Sequence, residues 1–370
     1  MIKPKLSLTK IAPYQNGNHS QKLFDLGQRV VKLDSNESTV TPSPRVVLAL
    51  NDFIQSSFIN WYPDVNSSDL IDKLVNYTTL KGDYLQTFNG SDHALETICH
   101  TYINPGDLVS IIAPSYDHFR LYAESNGARL EFIYTPDPFL ADDAYLLNNI
   151  PTESKIIYLV NPNNPTGVLY TESAIRQLLL TFKSSLIIVD EAYFEFAKKT
   201  VIKLVEEFSN LIVTRSFSKA FGLAGLRMGY IACSPKLMSA INKIRVGKHV
   251  NSLAQIAATA SLEDIEFIER YIAEIATAKE WILNKMDSLG IPTVSTPANF
   301  ILIKVGNPDA LVSYLADQNI FVRNRNSVKG LEGYIRISIG HQLLMERFWR
   351  AFREAPVELI NSQQRLLKAE

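Results

Sequence analysis

Two cysteines in 370 residues, Cys99 and Cys233, are too few for a disulfide framework in a chain of this length. Both sit among apolar neighbours and are expected to be reduced, buried thiols of a cytoplasmic protein. An excess of either charge is missing as well: 37 Lys+Arg against 38 Asp+Glu leave a formal net charge of −1. No global basic field exists to draw nucleic acid or an anionic membrane, so neither is expected as a partner. No apolar stretch approaches the ~20 residues that span a bilayer. The opening "MIKPKLSLTKIAPYQNG" is basic but has no apolar run after it, so it does not read as a secretory signal. Internal repeats and low-complexity tracts are absent, and no metal is expected.

What is present is 46% hydrophobic residues, enough for one large core and a second, smaller one. Residues 1 to about 35 read as an irregular arm with one short helix at most. "PRVVLALNDFIQSSF" (44–58) has helical spacing with Pro44 in its first turn, and a second helix is expected after "NSSD" (66–69). Short apolar runs then alternate with helical patterns. "LVSIIAP" (108–114), "RLEFIYT" (129–135), "KIIYLVNP" (155–162), "SLIIVDEA" (185–192), "NLIVTRS" (210–216) and "MGYIAC" (228–233) read as strands. Most are continuous rather than alternating, as in strands covered on both faces, and helices such as "TESAIRQLLLTF" (171–182) separate them. This rhythm predicts an α/β fold with a mostly parallel, doubly wound sheet. After about residue 245 the pattern becomes a long helical stretch, broken near Ser261 to Asp264 and closed by Gly290. "NFILIKV" and "GYIRISIG" follow as strands with the helix "PDALVSYLADQ" between them, which predicts a smaller α+β domain.

Ligands of open α/β sheets bind at the carboxyl ends of the strands. Four marked segments fall there: "NGSDHALE" (89–96), "NPNNPTG" (161–167), "DEAYFEF" (190–196) and "SFSKAFGLAGLR" (216–227). Lys219 reads either as a solvated lysine or as an amine nucleophile whose pKa is lowered by burial or neighbouring cations. Asp190 ends an apolar strand, either as a capping carboxylate or as the acid that keeps a pyridine nitrogen protonated. Tyr193 reads as a core aromatic or a contact to the ring's phenolic oxygen. "NPNNPTG" is a proline-stiffened turn or a device that brings Asn164 to the same oxygen. "NGSDHALE" offers either a plain N-cap by Ser91 or Asp92 or free amides for a phosphate. Ser216, Ser218 and Arg227 could complete such a cup.

Asn164, Asp190, Tyr193, Lys219 and Arg227, in this order and in these motifs, resemble the pyridoxal 5′-phosphate (PLP) dependent aminotransferases of fold type I. "IAPYQNG", "VVKLDSNES…TPSP", "WYPD", "NGSDHALE", "NSLAQIAA" and "YIRISIG" extend the resemblance, over nearly the whole chain, to the histidinol-phosphate aminotransferases. The resemblance implies an arm (1–35), a large cofactor-binding domain (36–245) and a small domain (246–370) in a homodimer. Lys219 would carry PLP as an internal aldimine and shuttle the proton, and Asp190 would hold the pyridinium. Asn164 and Tyr193 would contact the ring oxygen, and Tyr116 would stack on the ring. Ser91, Asp92, His93, Ser216, Ser218 and Arg227 would gather around the phosphate. Tyr62 would reach across the dimer to the partner's cofactor. Tyr14, Asn36, Arg323 and Arg336 would face the substrate, Arg336 through its carboxylate and Arg323 through its phosphate.

The implied reaction is transamination between histidinol phosphate and 2-oxoglutarate, a step of histidine biosynthesis. A paralogue acting on another small phosphorylated ketone or on aromatic amino acids, and a threonine-phosphate decarboxylase-like lyase, share the same cofactor residues. Departures from the family pattern fall on the substrate side: "NESTVTPSP", His93 after "GSD", "RVGKHVNSLAQ" and Trp61 before "YPD". Read alone, His93 is an exposed first-turn residue, His249 a solvated linker residue, Arg336 a strand-end surface arginine, and Arg323 with Arg325 a solvated pair.

Overall fold

A computed structural model of the chain describes residues 2–9, 11–12, 30–56 and 58–360. Its strands in chain order are β1 (Val31–Lys32), β2 (Leu85–Phe88), β3 (Leu108–Ala113), β4 (Arg129–Tyr134), β5 (Ile156–Val160), β6 (Leu186–Asp190) and β7 (Leu211–Ser216). They continue with β8 (Gly229–Cys233), β9 (Thr293–Ser295), β10 (Phe300–Lys304), β11 (Ile320–Phe321), β12 (Arg323–Asn324) and β13 (Tyr334–Ser338). Seven strands form the main sheet in the order β2-β8-β7-β6-β5-β3-β4. Within it β8 alone runs against its neighbours, so β2, β3, β5, β6 and β7 open their carboxyl ends at one edge.

Continuous apolar runs put β3, β5, β6, β7 and β8 wholly in the interior. Each fully buried Ile, Leu or Val there contributes roughly 1.5–3 kcal/mol. The edge strand β4 departs from that pattern: one side of it has no strand neighbour, and Phe132 is among its exposed side chains. Cys99, on the helix Gly90–Tyr102, and Cys233, the last residue of β8, are free and buried in one apolar cluster against this sheet. Burial pushes the Cys233 thiol up to about 12 and raises that of Cys99 as well, so both stay protonated.

A second sheet, β12-β13-β10-β9, is antiparallel and packs with the helices Ile265–Asp287 and Gln342–Glu354 around its own apolar cluster. The break expected in the long helical stretch is present: one helix ends at Leu262, the next begins at Ile265, and Gly290 takes φ +65° after it.

Three local readings need correction. β1, inside the segment read as irregular, pairs in parallel with β11, and two residues are too few to leave a periodic signal. β2, "LQTF", is a strand with no apolar run to announce it: Gln86 and Thr87 interrupt the pattern, although all four residues are buried. The helix of "NSSD" begins at Ser68 rather than after Asp69, and no Ser67 side chain caps it. The Asp64 carboxylate does so instead, accepting from Asn66 N at 2.9 Å and Ser68 N at 2.6 Å.

Candidate active site

The parallel strand ends bring the marked segments together. Asp190 is the last residue of β6, buried between Val160 of β5 and Thr214 of β7 in the strand register. Its carboxylate accepts from Tyr158 Oη at 3.1 Å and Ala192 N at 3.1 Å. Burial raises its pKa to about 6 against those two hydrogen bonds. A cation on its open side would restore the ionised form, which suits a protonated ring nitrogen.

β2 delivers Gly90 to the start of the helix Gly90–Tyr102. Gly90 has φ +79°, and a Cβ on it would lie 2.6 Å from an Arg227 guanidinium nitrogen. A Cβ on Gly229 would lie 2.5 Å from Ser91 N. Two glycines thus let Arg227 and the β8 backbone close on the helix amides. Arg227, itself at φ +56°, donates to Asp92 Oδ2 at 2.9 Å and to Ser218 Oγ at 3.4 Å. Asp92 Oδ1 accepts from Tyr116 Oη at 2.7 Å. Because that hydroxyl has one proton, His118 Nδ1, 2.6 Å away, must donate to it. Ser216 Oγ accepts from Ser218 N at 3.1 Å. Free helix amides, one guanidinium and two serine hydroxyls form a cradle that fits a phosphate.

Lys219 follows β7 and is half-buried, with Nζ 6.0 Å from the centre of the Tyr193 ring. Burial, with the Arg336 guanidinium second, brings its amine down to about 8. The chain segment 34–36 passes through this space, and its three successive carbonyls all accept from side chains. Arg336 Nη2 donates to Asp34 O at 2.7 Å, Lys219 Nζ to Ser35 O at 2.9 Å, and Asn299 Nδ2 to Asn36 O at 3.1 Å. Asn36, buried at φ +54°, donates from Nδ2 to Tyr193 Oη at 3.0 Å. Asn164 Oδ1 accepts from Arg336 Nη1 at 2.5 Å. Arg336 is therefore not the strand-end surface arginine of the isolated reading; it is 3% exposed. Arg323 stands directly opposite it across the β12–β13 pair and is half-buried.

Of the remaining expected site residues, one has its side chain engaged with a second histidine, one lies on the surface, and one falls outside the described residues. His93 is half-buried rather than exposed; its Nε2 meets His249 Nδ1 at 3.0 Å and its ring packs on Phe88. Burial and the His249 imidazole lower its pKa. Tyr62 lies on the surface, 78% exposed, with Lys248 Nζ 3.8 Å over its ring. Tyr14 is outside the described residues.

One group escaped the sequence reading. Arg215, the penultimate residue of β7, is fully buried and paired with Glu191 at 2.9 Å. It also donates to Tyr230 Oη at 3.2 Å and Thr200 Oγ1 at 2.6 Å, and its guanidinium lies 3.6 Å over the Phe194 ring. Glu191 accepts from Val201 N at 2.7 Å. The pair sits one residue from Asp190 on one strand and one from Ser216 on the next. The available signal was an arginine inside the otherwise apolar run "NLIVTRS". Among the described residues there is no cluster of three or more metal-ligating side chains, and no helix is long and apolar enough to cross a membrane.

Comparison with known proteins agrees with this geometry. The profile of the aminotransferase class I and II family matches residues 28–352. A dihydroxyacetone phosphate transaminase from Campylobacter jejuni is 37% identical over 348 residues, 90% of this chain and 92% of that protein. A histidinol-phosphate aminotransferase from Ruminiclostridium cellulolyticum is 36% identical over 320 residues, 84% of this chain and 88% of that protein. Among solved structures, the histidinol-phosphate aminotransferase from Sinorhizobium meliloti in complex with pyridoxal-5′-phosphate superposes with a TM-score of 0.85. It is 24% identical and covers 95% of this chain and 98% of that one.

Proposed function

The chain belongs to the class I and II aminotransferases, PLP-dependent transaminases of fold type I, and we propose that it moves an amino group between glutamate and a 2-oxopropyl phosphate. The leading amine is histidinol phosphate. The observation that carries this reading is Lys219, an amine at about 8 beside the Arg336 guanidinium, one strand over from the buried acid Asp190.

Bound PLP supplies an electron sink for the charge left when the substrate's Cα–H bond breaks. The residues of this chain do the rest. Lys219 Nζ, neutral in about a tenth of molecules at pH 7 against far less for an ordinary lysine, takes the proton from Cα and gives it back. Asp190 would hold a proton on the ring nitrogen, and Tyr193, which accepts from Asn36 Nδ2, would keep its own proton to donate to the ring oxygen. Ser91, Ser216, Ser218 and Arg227 would hold the phosphate. Arg336, fixed from both sides, presents a planar fork to the α-carboxylate of glutamate and afterwards to the anionic second substrate.

A second reading is favoured by the relative from Campylobacter jejuni, whose name gives dihydroxyacetone phosphate as its substrate. The ketone made from histidinol phosphate and dihydroxyacetone phosphate share the 2-oxopropyl phosphate. They differ at C3, which carries an imidazole in one and a hydroxyl in the other. The same phosphate and carbonyl contacts serve both. The proposal includes the partition into arm (1–35), large domain (36–245) and small domain (246–370), and a cytoplasmic homodimer engaged in histidine biosynthesis. Support for the dimer comes from the exposed Phe58, Ile59, Trp61 and Tyr62, which leave Tyr62 free to meet a second copy.

The test is the half-reaction of the PLP-loaded protein with histidinol phosphate, with 2-amino-3-hydroxypropyl phosphate and with glutamate, followed by the cofactor's absorbance. Bleaching by glutamate and by histidinol phosphate supports the leading reading. Bleaching by glutamate and the hydroxylated amine alone moves the assignment to the second. Bleaching by no phosphorylated amine contradicts both.

A further inference from the structure

We infer that Ser338 is a positioning residue for the proposed reaction: acting through Asn36, it sets the direction of the Tyr193 hydroxyl proton and turns it toward the ring oxygen of the cofactor. The inference rests on the proposed PLP chemistry and adds to it a residue that works through two others.

Ser338 ends β13, opposite Phe300 of β10. It grips the segment 33–36 twice. Its N donates to Leu33 O at 2.8 Å, and its Oγ accepts from Asn36 N at 2.8 Å. A backbone N–H can only donate, so the second contact occupies a lone pair of the hydroxyl and leaves its proton to be placed. Asn36 Oδ1, 3.2 Å away, accepts that proton. With its oxygen turned to Ser338, the Asn36 amide turns Nδ2 to Tyr193 Oη at 3.0 Å. The amide turned over would offer Ser338 a second N–H and take the acceptor away from the serine proton, in a side chain 1% exposed. A buried donor in that position loses its hydration with nothing to offset it, which disfavours the reversed amide.

The same orientation settles Tyr193. Its Oη receives the Asn36 N–H, so its own proton points elsewhere. The ring is fixed edge-on against Phe300, with centroids 5.6 Å apart, and packs on Ala298. Asn36 is fixed too, since Asn299 Nδ2 donates to its carbonyl at 3.1 Å. Asn36, Tyr193 and Ser338 are all buried, so the chain of three is made away from water. What the packing leaves open is the direction of two hydroxyl protons, and the Asn36 backbone N–H sets both. Were the amide reversed, Asn36 Oδ1 would draw the Tyr193 proton to itself and the ring oxygen would lose a donor. Deprotonation of the lysine-bound cofactor places more negative charge on that oxygen, so a donor to it favours the deprotonated form.

The experiment titrates the visible absorbance of the PLP-loaded protein with pH in wild type, Ser338→Ala, Tyr193→Phe and the double variant. Ser338→Ala should raise the midpoint by roughly half a pH unit to one, the scale of a hydrogen bond partly lost. Tyr193→Phe should raise it at least as far. Adding Ser338→Ala to Tyr193→Phe should change nothing further, because both substitutions act on one proton. Ser338→Cys keeps the shape with a weaker donor and should fall between wild type and Ser338→Ala, and it replaces Ser338→Ala if that variant does not fold. A shift with Tyr193→Phe but with neither Ser338 variant overturns the role of Ser338 while the proposed reaction stands. So does a Ser338→Ala shift that persists undiminished in the Tyr193→Phe background. No shift in any variant removes Tyr193 from the ring oxygen, and this inference with it. Wild type whose PLP absorbance matches that of free cofactor at every pH overturns the proposed function and this inference together.

Discussion

Lys219 and Arg336 bind consecutive carbonyls of one chain segment, those of Ser35 and Asp34, at 2.9 and 2.7 Å. The two residues come from different sheets and are 117 positions apart in the sequence. Their shared hold on residues 34–35 fixes the amine of one beside the positive charge of the other. That neighbourhood, added to burial, keeps the amine near 8 rather than in the ordinary lysine range.

Replacing Arg336 with Gln removes the charge, so the Lys219 amine of the cofactor-free protein should become more basic. The midpoint of its pH-dependent labelling by an amine reagent, followed by peptide mass spectrometry, should move upward. Arg336→Lys keeps the charge but loses the fork. It should leave that midpoint nearly in place while raising the glutamate KM by about 10–100-fold.

Asp190→Asn should stabilise the cofactor-free protein while destroying activity. A carboxyl at about 6 when folded, above its unfolded value near 4, holds an extra native-state proton between those pH values. Its contribution favours folding at the acid end and is lost as pH rises through 6. Above that pH the buried charge is a cost of about 1–3 kcal/mol, which asparagine avoids. Denaturant titrations at pH 5 and 7.5 check this: the gain from Asn should be larger at pH 7.5.

Gly90→Ala places a Cβ against the Arg227 guanidinium and forces a left-handed backbone on a non-glycine residue. Arg227 must then leave the cradle. PLP affinity, read by fluorescence titration of the cofactor-free protein, should fall by about tenfold or more, the scale of one charge-assisted contact.

Arg215→Met strands the Glu191 carboxylate in the core, and the expected loss is about 3–5 kcal/mol by chemical denaturation. The double substitution Arg215→Met with Glu191→Leu should recover a good part of it, because no charge is then left unpaired.

Much of the fold was legible because β3, β5, β6 and β7 are covered on both faces and so read as unbroken apolar runs. The site was legible for a related reason. Parallel strands end at one edge, so Asn164, Asp190 and Lys219, each just at or beyond a strand end, had to converge. What stayed hidden depends on distant pairings. β1 needs β11 to exist, and β2 mixes Gln and Thr into a buried strand. His93 meets His249 across 156 positions, which no local pattern announces. Arg215 was visible as a charge in an apolar run, but its partner Glu191 lies just past the end of the neighbouring strand β6, where it reads as part of the "DEAY" turn.

If the Lys219 amine holds the cofactor, borohydride reduction of the PLP-loaded protein followed by peptide mass spectrometry will locate it. The phosphopyridoxyl group should be found on Lys219, and Lys219→Ala should bind PLP without retaining it after reduction and denaturation. A label on another lysine, or a wild-type protein that releases all its cofactor after reduction, would remove Lys219 from that role.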